Sequence, residues 1–194
     1  SNGLVFAGSG GGSFYALDLN TGLEKWRFHT EGGVSCSPAV SKDLVFIGSD
    51  DSFLYAVDKH TGKEKWKFKT GGHIRSCPIF SDGLVFFRSN DCYLYALDEN
   101  TGQEKWKFKS EHVDTNRITI SEGVLYFGVN RQKFLYAIDA STGQEKWKFF
   151  TEPEEYKFYS EVDKIILQNN YSLSCCPAVA DGLVFFGVEF YYIY

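Results

Sequence analysis

The amino-acid sequence predicts an all-β protein made of propeller-type blades, each built from four short antiparallel strands. The first observation is a repeat of about 40 residues, marked by Trp26, Trp66, Trp106 and Trp147. The second is a turn that precedes each of these tryptophans, with aspartates Asp18, Asp58, Asp98 and Asp139 and glycines Gly22, Gly62, Gly102 and Gly143. The third is that four strand-like segments fit within one period. A fixed period of this size with four strands per repeat is typical of a propeller blade.

One repeat, Ser35–Thr70, shows how the strands are predicted. Its four segments are residues 35–40, 44–48, 53–57 and 64–70. Asp58 and Gly62 join the last two, because Asp accepts hydrogen bonds from turn amides and Gly adopts the positive φ that ends the turn. In the last segment Trp66 and Phe68 alternate with lysines, so the aromatic rings face inward and the lysines outward. Lysines protect an exposed sheet edge. We therefore interpret the lysine stripe as an outermost strand rather than a nucleic-acid patch.

The two middle segments of this repeat, 44–48 and 53–57, are apolar on both faces. An antiparallel sheet has this pattern when it is sandwiched between two others, as a blade is. By the same spacing the chain starts in a second strand at residues 3–8 and continues through three complete blades. A partial blade opens at residues 174–179 and stops at Tyr194. We expect about four and a half blades in a single domain spanning residues 1–194.

Composition excludes several classes of function. The 194 residues have a formal net charge of −5, which argues against general binding to nucleic acid or anionic membrane. No apolar run approaches the roughly 18 residues that span a bilayer. No signal peptide is visible, but the chain does not begin with Met, and Ser1-Asn2 resembles a tag remnant or a cut. The five cysteines and four histidines show no zinc-ligand spacing, so we expect no metal.

An insertion of about twenty residues separates the third complete blade from the partial one, at residues 150–173. A short helix is predicted after Pro153, because proline suits a first helical turn. Two interpretations stay open. The insertion is a solvated surface loop, or it contacts a partner or ligand from one rim, since loops often carry function.

The innermost strand of the third complete blade contains the candidate site residues of the scaffold. Ile118 stands where the other repeats have Pro38, Pro78 and Pro177. Innermost strands line the channel of a propeller, so Asn116 and Arg117 are channel candidates, as is Arg75 one blade earlier. Two arginines at an axial channel bind an anion through charge-assisted hydrogen bonds. The alternative is that they pair with nearby carboxylates or contact water.

The motif Ala-x-Asp-x-x-Thr-Gly-x-x-x-Trp is intact at residues 16–26, 56–66 and 96–106, and the copy at 137–147 has one extra residue. It resembles the tryptophan-docking motif of the pyrroloquinoline-quinone-like (PQQ-like) propeller repeats. The resemblance covers almost the whole chain except the insertion. It implies that each tryptophan packs on a neighbouring blade near the turn glycine.

The family includes quinoprotein dehydrogenases, which use the quinone with calcium, and non-enzymatic propellers such as the outer-membrane-assembly lipoprotein. In several of the dehydrogenases an adjacent cysteine pair forms a ring disulfide that stacks on the quinone, and Cys175-Cys176 is such a pair. Here it lies in Ser-Cys-Cys-Pro-Ala-Val, a variant of Ser-Cys-Ser-Pro-Ala-Val at residues 35–40. Drift between repeats therefore explains the pair. We also find no set matching the calcium-binding Glu and Asn with a catalytic Asp of that family.

We therefore expect a non-enzymatic binding or scaffold propeller without a cofactor. It would contact a protein or peptide partner through its rim loops, the channel mouth and the insertion, in a periplasmic or other extracytoplasmic location. The alternative is a fragment of a PQQ-dependent dehydrogenase. An open stack of blades leaves an apolar face at each end, and repeat arrays need closure or caps. We expect a homodimer that closes a ring of about eight blades, with terminal strands completing blades across the interface. The rivals are a chain that closes on itself and a truncated piece.

Overall fold

The structure, a computed structural model, describes residues 3–110, 117–129, 134–150, 171–172, 177–180, 183–185 and 189–190. Every regular element in these ranges is a β-strand, and the paired strands are antiparallel. This confirms the predicted all-β fold with four-stranded blades. The insertion, apart from Phe150 and residues 171–172, lies outside the described residues, as does the helix predicted after Pro153.

Four consecutive sheets, which we call the first to the fourth blade, contain most of the strands, and strands adjacent in the chain are adjacent in each sheet. The first blade contains β1 (Leu4–Gly8), β2 (Ser13–Asp18) and β3 (Glu24–His29). The second contains β4 (Ala39–Val40), β5 (Leu44–Gly48), β6 (Phe53–Asp58) and β7 (Glu64–Lys69). The third contains β8 (Ile79–Ser81), β9 (Leu84–Arg88), β10 (Tyr93–Asp98) and β11 (Glu104–Lys109). The fourth contains β12 (Thr119–Ser121), β13 (Val124–Val129), β14 (Phe134–Asp139) and β15 (Glu145–Phe150).

Four shorter strands follow the fourth blade: β16 (Tyr171–Ser172), β17 (Ala178–Ala180), β18 (Leu183–Phe185) and β19 (Glu189–Phe190). Strand β17 pairs with β18, and β16 pairs with β19. The β17–β18 pair corresponds to the first two strands of the predicted partial blade. Strand β17 lies beside β12, so the inner strands of successive blades are neighbours from β4 to β17.

The inner strands are shorter than the sequence pattern predicts. In the second blade the predicted strand at 35–40 is reduced to Ala39–Val40. The reason is that the preceding backbone bonds elsewhere: the Val34 N–H donates to the Ser9 carbonyl of the first blade at 2.9 Å. Pro38 also has no N–H to donate to a ladder.

The outer hairpin of each blade has a bulge that is built into the repeat. In the second blade Ala56 pairs with Trp66, and the next pair skips Lys65, which is therefore the extra residue. The Lys65 ammonium lies 3.3 Å from a carboxylate oxygen of Asp58. The other blades repeat both the bulge and this ion pair. Ala56 is fully buried, and its small side chain leaves room for the indole opposite it.

The hairpin turn is held by one carboxylate. Asp58 Oδ1 accepts hydrogen bonds from the amides of His60 and Thr61 at 3.1 and 3.0 Å, and from the Thr61 hydroxyl at 3.0 Å. Gly62 closes the turn with a φ of 70°. Burial by itself would raise the pKa of Asp58, but the hydrogen bonds from Thr61 and Lys65 outweigh it and lower the pKa to about 2. The pKa is lowered in the other turns too, mainly by hydrogen bonds from Thr21 to Asp18, from Thr101 to Asp98 and from Ser141 to Asp139.

The core lies between the blades as three apolar layers. Each layer combines one face of a blade with the opposite face of the next. Outer-strand phenylalanines meet tyrosines of the following blade, with ring centroids 5.2 Å apart for Phe28 and Tyr55, 5.5 Å for Phe68 and Tyr95, and 5.7 Å for Phe108 and Tyr136. This explains why the middle strands are apolar on both faces.

A tryptophan crosses each of these layers. The Trp66 indole N–H donates to the Glu99 carbonyl at 2.8 Å, and a Cβ added to Gly102 would lie 2.7 Å from the Trp66 ring. We call this arrangement the tryptophan dock. It recurs between Trp26 and the turn at Lys59 and Gly62, and between Trp106 and the turn at Ala140 and Gly143. The turn position therefore needs glycine for two reasons. Its backbone has a positive φ, and the tryptophan ring leaves no room for a Cβ.

Substituting the turn glycine tests the dock. Gly102→Ala places a methyl group against the Trp66 ring at a φ of 69°. We expect it to lower the free energy of unfolding by about 2–4 kcal/mol, from left-handed strain and overpacking together. Gly22 has the same φ, but its added Cβ would meet nothing within 4 Å. Gly22→Ala should therefore cost only about 1–2 kcal/mol. Urea unfolding measures both variants, and equal losses would show that the ring contact is unimportant.

Acid should destabilise the fold through the turn carboxylates. Asp18 and Asp58 have a folded-state pKa of about 2 against an ordinary value of 3.8. The folded state therefore binds protons more weakly, and the stabilisation, present above pH 4, is lost as the pH falls towards 2. Thermal unfolding measured from pH 6 to pH 2 should show this decline. Asp58→Asn should reduce the slope of this decline, whereas Asp43→Asn, in the bend between β4 and β5, should not. Equal slopes in all three proteins would contradict the assignment.

Candidate channel face

The loops that lead into the inner strands bring the candidate residues to one side of the blades. The loops before β4 and β8 contact the loop between the second and third strands of the blade that each of them enters. The Asp50 amide donates to the Gly33 carbonyl at 2.9 Å, and the Asn90 amide donates to the His73 carbonyl at 2.8 Å. Each inner loop is therefore attached to a neighbouring hairpin loop. We call the side of the blades that these loops share the channel face.

Arg75 lies on this face and is bound to a carboxylate. Its Nε lies 2.8 Å from Asp50 Oδ1, and its Nη2 lies 3.1 Å from Oδ2, which is a bidentate pair between adjacent blades. His73 also contacts the carbonyl oxygen of Asp50. Hydrogen bonding to Arg75 lowers the pKa of Asp50, and the same bond raises the pKa of Arg75. The guanidinium is exposed to solvent on its other side.

The other channel candidates are only partly described. Arg117 is exposed immediately before β12, next to the buried Ile118, and forms no ion pair with any residue of the described ranges. Asn116, Cys175 and Cys176 lie outside the described residues. The structure thus places two exposed arginines in loops that enter neighbouring inner strands, and it joins Arg75 to Asp50.

The described cysteines are free thiols: Cys36, Cys77 and Cys92. Cys36 is buried, and burial raises the pKa of its thiol to about 12. A thiol with so high a pKa is almost entirely protonated at neutral pH and is a poor nucleophile. Cys36 therefore has a packing role.

Carboxylates in the loops between the second and third strands, Asp51 and Asp91, connect one blade to the next. Asp51 accepts hydrogen bonds from the Glu31 amide at 3.0 Å and from the Tyr55 hydroxyl at 2.8 Å. Asp91 repeats this with the Gly71 amide and the Tyr95 hydroxyl. Burial is the main cause that raises the pKa of Tyr55 and Tyr95, and the hydrogen bonds to the two carboxylates add to it. These polar groups stabilise the loops and are not free for chemistry.

Arg88 is a buried charge that breaks the repeat. It stands at the end of β9, where β1, β5 and β13 have Gly8, Gly48 and Gly128. Its guanidinium lies 4.7 Å from the centre of the Phe127 ring and donates to the Gly128 carbonyl at 3.2 Å. The side chain is only 2% exposed, so it links the third and fourth blades.

Two hollows adjoin the fourth blade. One, of about 470 Å³, is lined by Leu135, Trp147, Lys148, Phe149 and Val184. The other, of about 270 Å³, lies between the third and fourth blades and includes the carboxylates of Asp82, Glu122 and Asp139 together with Lys146. Within the described ranges, no three His, Cys, Asp or Glu side chains gather in a way that would hold a metal ion.

A family model described as outer membrane protein assembly factor BamB matches residues 10–165 and 93–186. These matches cover most of the chain. The chain belongs to this family of PQQ-like propellers. The resemblance predicted from the repeated motif is therefore confirmed. Within the described residues there is no helix of the length and apolarity that a membrane span needs.

Solved structures agree on the fold. BamB from Moraxella catarrhalis has a TM-score of 0.74 at 16% identity, with 94% of this chain covering 51% of that one. The computationally designed Ika8 protein has a TM-score of 0.79 at 18% identity, with 100% of this chain covering 56% of that one. A chain of the mitotic checkpoint complex has a TM-score of 0.69 at 11% identity, with 77% of this chain covering 48%. At these identities the likeness shows the fold alone, and the chain spans about half the length of each.

One curated relative is an enzyme. Lupanine 17-hydroxylase [cytochrome c] from a Pseudomonas species is 45% identical over 40 residues, which is 21% of this chain and 6% of the hydroxylase. The matched length equals one repeat. The likeness therefore extends over no more than the length of one repeat, and it does not decide whether this chain is an enzyme.

Sequence reasoning found Arg75 and Arg117 but missed Asp50, the partner of Arg75. Asp50 and Arg75 are 25 residues apart in different blades, so spacing within one repeat does not relate them. The available signal was that Asp50 stands where the other described repeats have Gly10 and Asn90. A charge that appears in one repeat only indicates a local partner.

Asp50→Asn should release the guanidinium of Arg75. Because the ion pair is exposed, we expect little change in the free energy of unfolding. The freed charge should strengthen sulfate binding, measured as a larger rise of the unfolding temperature with added sulfate. Asp50→Asn combined with Arg75→Ala is the control and should remove that gain. An equal response to sulfate in the wild type and Asp50→Asn would show that Arg75 takes no part in anion binding.

Proposed function

We propose that the chain is a non-enzymatic binding and scaffold propeller that works as a homo-oligomer in an extracytoplasmic compartment. The observation that carries the proposal is the use of polar side chains in the described blades. Asp58 and its counterparts hold the turns, and Asp51 and Asp91 hold the loops. The exposed charges of the channel face remain for contact with a partner.

Family membership supports both the role and the location. The matching family is described as an outer membrane protein assembly factor. A protein of that kind acts by binding other proteins outside the cytoplasm. We propose a protein or peptide partner that meets the channel face at Arg75 and Arg117, and we place Asn116 and the insertion at 150–173 near the same contact. An acidic partner segment suits Arg117, because guanidinium groups bind carboxylates in bidentate geometry. Arg75 already binds Asp50 in this geometry.

A charge reversal tests the binding face. Arg117→Glu should weaken binding of a partner captured from an extracytoplasmic extract by about tenfold or more, because it replaces an attractive charge with a repulsive one. Lys107→Glu is the matched control, since Lys107 is exposed on the outer strand β11. It should leave the affinity unchanged. Equal losses in both variants would indicate non-specific attraction to a basic surface and would contradict a channel-face site.

The second candidate function is that of a fragment of a quinoprotein dehydrogenase, favoured by the 40-residue match to the hydroxylase. Among the described residues, no three His, Cys, Asp or Glu side chains are grouped as metal ligands. Cys175 and Cys176 lie outside the described residues. Adding the quinone with calcium separates the two functions. A scaffold propeller should leave the quinone absorbance unchanged, whereas a shift that saturates and is lost in the double variant Cys175→Ser, Cys176→Ser would favour the enzyme.

A further inference from the structure

The hollow of about 270 Å³ between the third and fourth blades lies outside the channel face. It is lined by the turn between β8 and β9, the turn between β12 and β13, and the hairpin turn after β14. These turns are at the opposite ends of the strands from the loops of the channel face. Pockets for drug-sized ligands are usually larger, roughly 300–1,000 Å³, so this hollow has room for a small group or a single side chain.

Ala140, which lines the hollow, has a counterpart in Lys59 of the second blade. The Lys59 amide donates to the Asp43 carbonyl and the Ala140 amide to the Gly123 carbonyl, both at 2.9 Å. The carbonyl of each residue accepts an indole N–H from the preceding blade at 3.0 Å. The two backbones are therefore held by the same contacts, and their side chains start from the same place in the blade.

In the second blade this place is filled by the chain itself. Lys59 is only 3% exposed. Its ammonium donates to the Ser41 carbonyl at 3.4 Å and also to the Lys42 carbonyl. In the fourth blade the side chain of Ala140 ends at Cβ and borders the hollow instead. The repeat therefore presents one position with an alkylammonium side chain and the equivalent position without one.

The walls of the hollow differ in charge from those of the second blade. Glu122 is the counterpart of Lys42, and Asp82 lines the hollow from the third blade. Asp139 and Lys146, which also line the hollow, lie 3.5 Å apart and neutralise each other. Within the described ranges neither Glu122 nor Asp82 forms an ion pair. Two carboxylates therefore remain for a cation.

Apolar side chains from β9 form another part of the lining. Phe86 is 1% exposed, and Leu84 is half-buried. Surface of this kind suits a hydrocarbon stem, since lysine stems cover apolar surface while their charged ends stay near polar groups. A metal ion would make no use of it, and no three His, Cys, Asp or Glu side chains in the described part of the chain gather as metal ligands. The lining therefore suits an organic cation.

We propose that this hollow binds an alkylammonium group, the chemistry shared by a lysine side chain of a partner protein and a free diamine. The hydrocarbon stem packs against Phe86 and Leu84, and the ammonium binds Glu122 and Asp82 through charge-assisted hydrogen bonds. The ligand takes the place beside Ala140 that the lysine side chain takes in the second blade. The site goes beyond the proposed function, since it uses none of the channel-face residues.

A titration with n-butylammonium chloride at constant ionic strength tests the site, because this cation reproduces the end of a lysine side chain. We expect the amide resonances of Gly123 and Ala140 to shift in the NMR spectrum and to reach saturation. The control is n-butanol, which has the same stem without the charge and should cause no saturable shift. The absence of a saturable shift with n-butylammonium, or equal shifts with both compounds, would overturn the proposal.

Two variants locate the binding. Ala140→Lys supplies an ammonium from the chain itself, as Lys59 does, and should abolish the shift of the Gly123 resonance. Glu122→Gln removes one carboxylate from an exposed turn and should raise the dissociation constant about threefold, as for a partly exposed ion pair. It keeps the test decisive if Ala140→Lys does not fold. Glu64→Gln, exposed on β7, is the matched control and should leave the constant unchanged. Full binding by Ala140→Lys, or equal effects of the two glutamate substitutions, would show that the hollow is not the site.

Two further ligands distinguish the sources of the ammonium group. A lysine side chain is represented by an acetylated tripeptide amide with lysine between two glycines, and a free diamine by 1,4-diaminobutane. Tighter binding of the tripeptide would identify a protein partner, and tighter binding of the diamine would identify a small-molecule ligand. The Arg117→Glu variant should bind these ligands like the wild type, so the result is independent of the channel-face experiment.

Discussion

The tryptophan that packs between each pair of successive blades links their hairpins, their turns and their apolar core. Trp66 is placed by the bulge at Lys65, donates to Glu99 and lies against Gly102. The turn it meets is ordered by Asp98, whose own bulge lysine completes the ion pair. Each dock therefore joins a hairpin, a turn and an apolar layer. Each docked tryptophan needs the turn of the following blade. Each blade is therefore stabilised by contacts with its neighbours, as in other repeat proteins.

The repeat also distinguishes residues of the scaffold from residues of the surface loops. Residues that repeat at a period of about 40 are used by the fold, whereas residues that break the period have a local role. Asp50, Arg75 and Arg117 belong to the second group, and all three are in loops that enter or adjoin inner strands. Arg88 also breaks the period, yet it is buried between the third and fourth blades. A residue that departs from the repeat therefore indicates a local constraint at its position. Burial of its side chain distinguishes a structural role from exposure to a partner.

Much of the fold could be predicted because the repeat is strong. The turn residues, the inward tryptophans and the blades sandwiched on both faces all follow from spacing and alternation. The inner strands could not be placed as well, because β4 and β8 are short and their preceding residues bond to neighbouring blades. The candidate site was found only in part. Arg75 was identified by its charge, but its partner lies 25 residues away in another repeat.

The sequence by itself determined the blade: its strand order, its capped turn and the tryptophan that faces inward, because these depend on contacts within about 40 residues. The tertiary structure decided which of these groups are satisfied. Trp26 and Trp147 occupy the same position in the repeat, yet one is 8% exposed and the other 41%. Gly22 and Gly62 have the same conformation, yet only Gly62 has a ring against it. Burial depends on the neighbouring blade, which a single repeat does not encode.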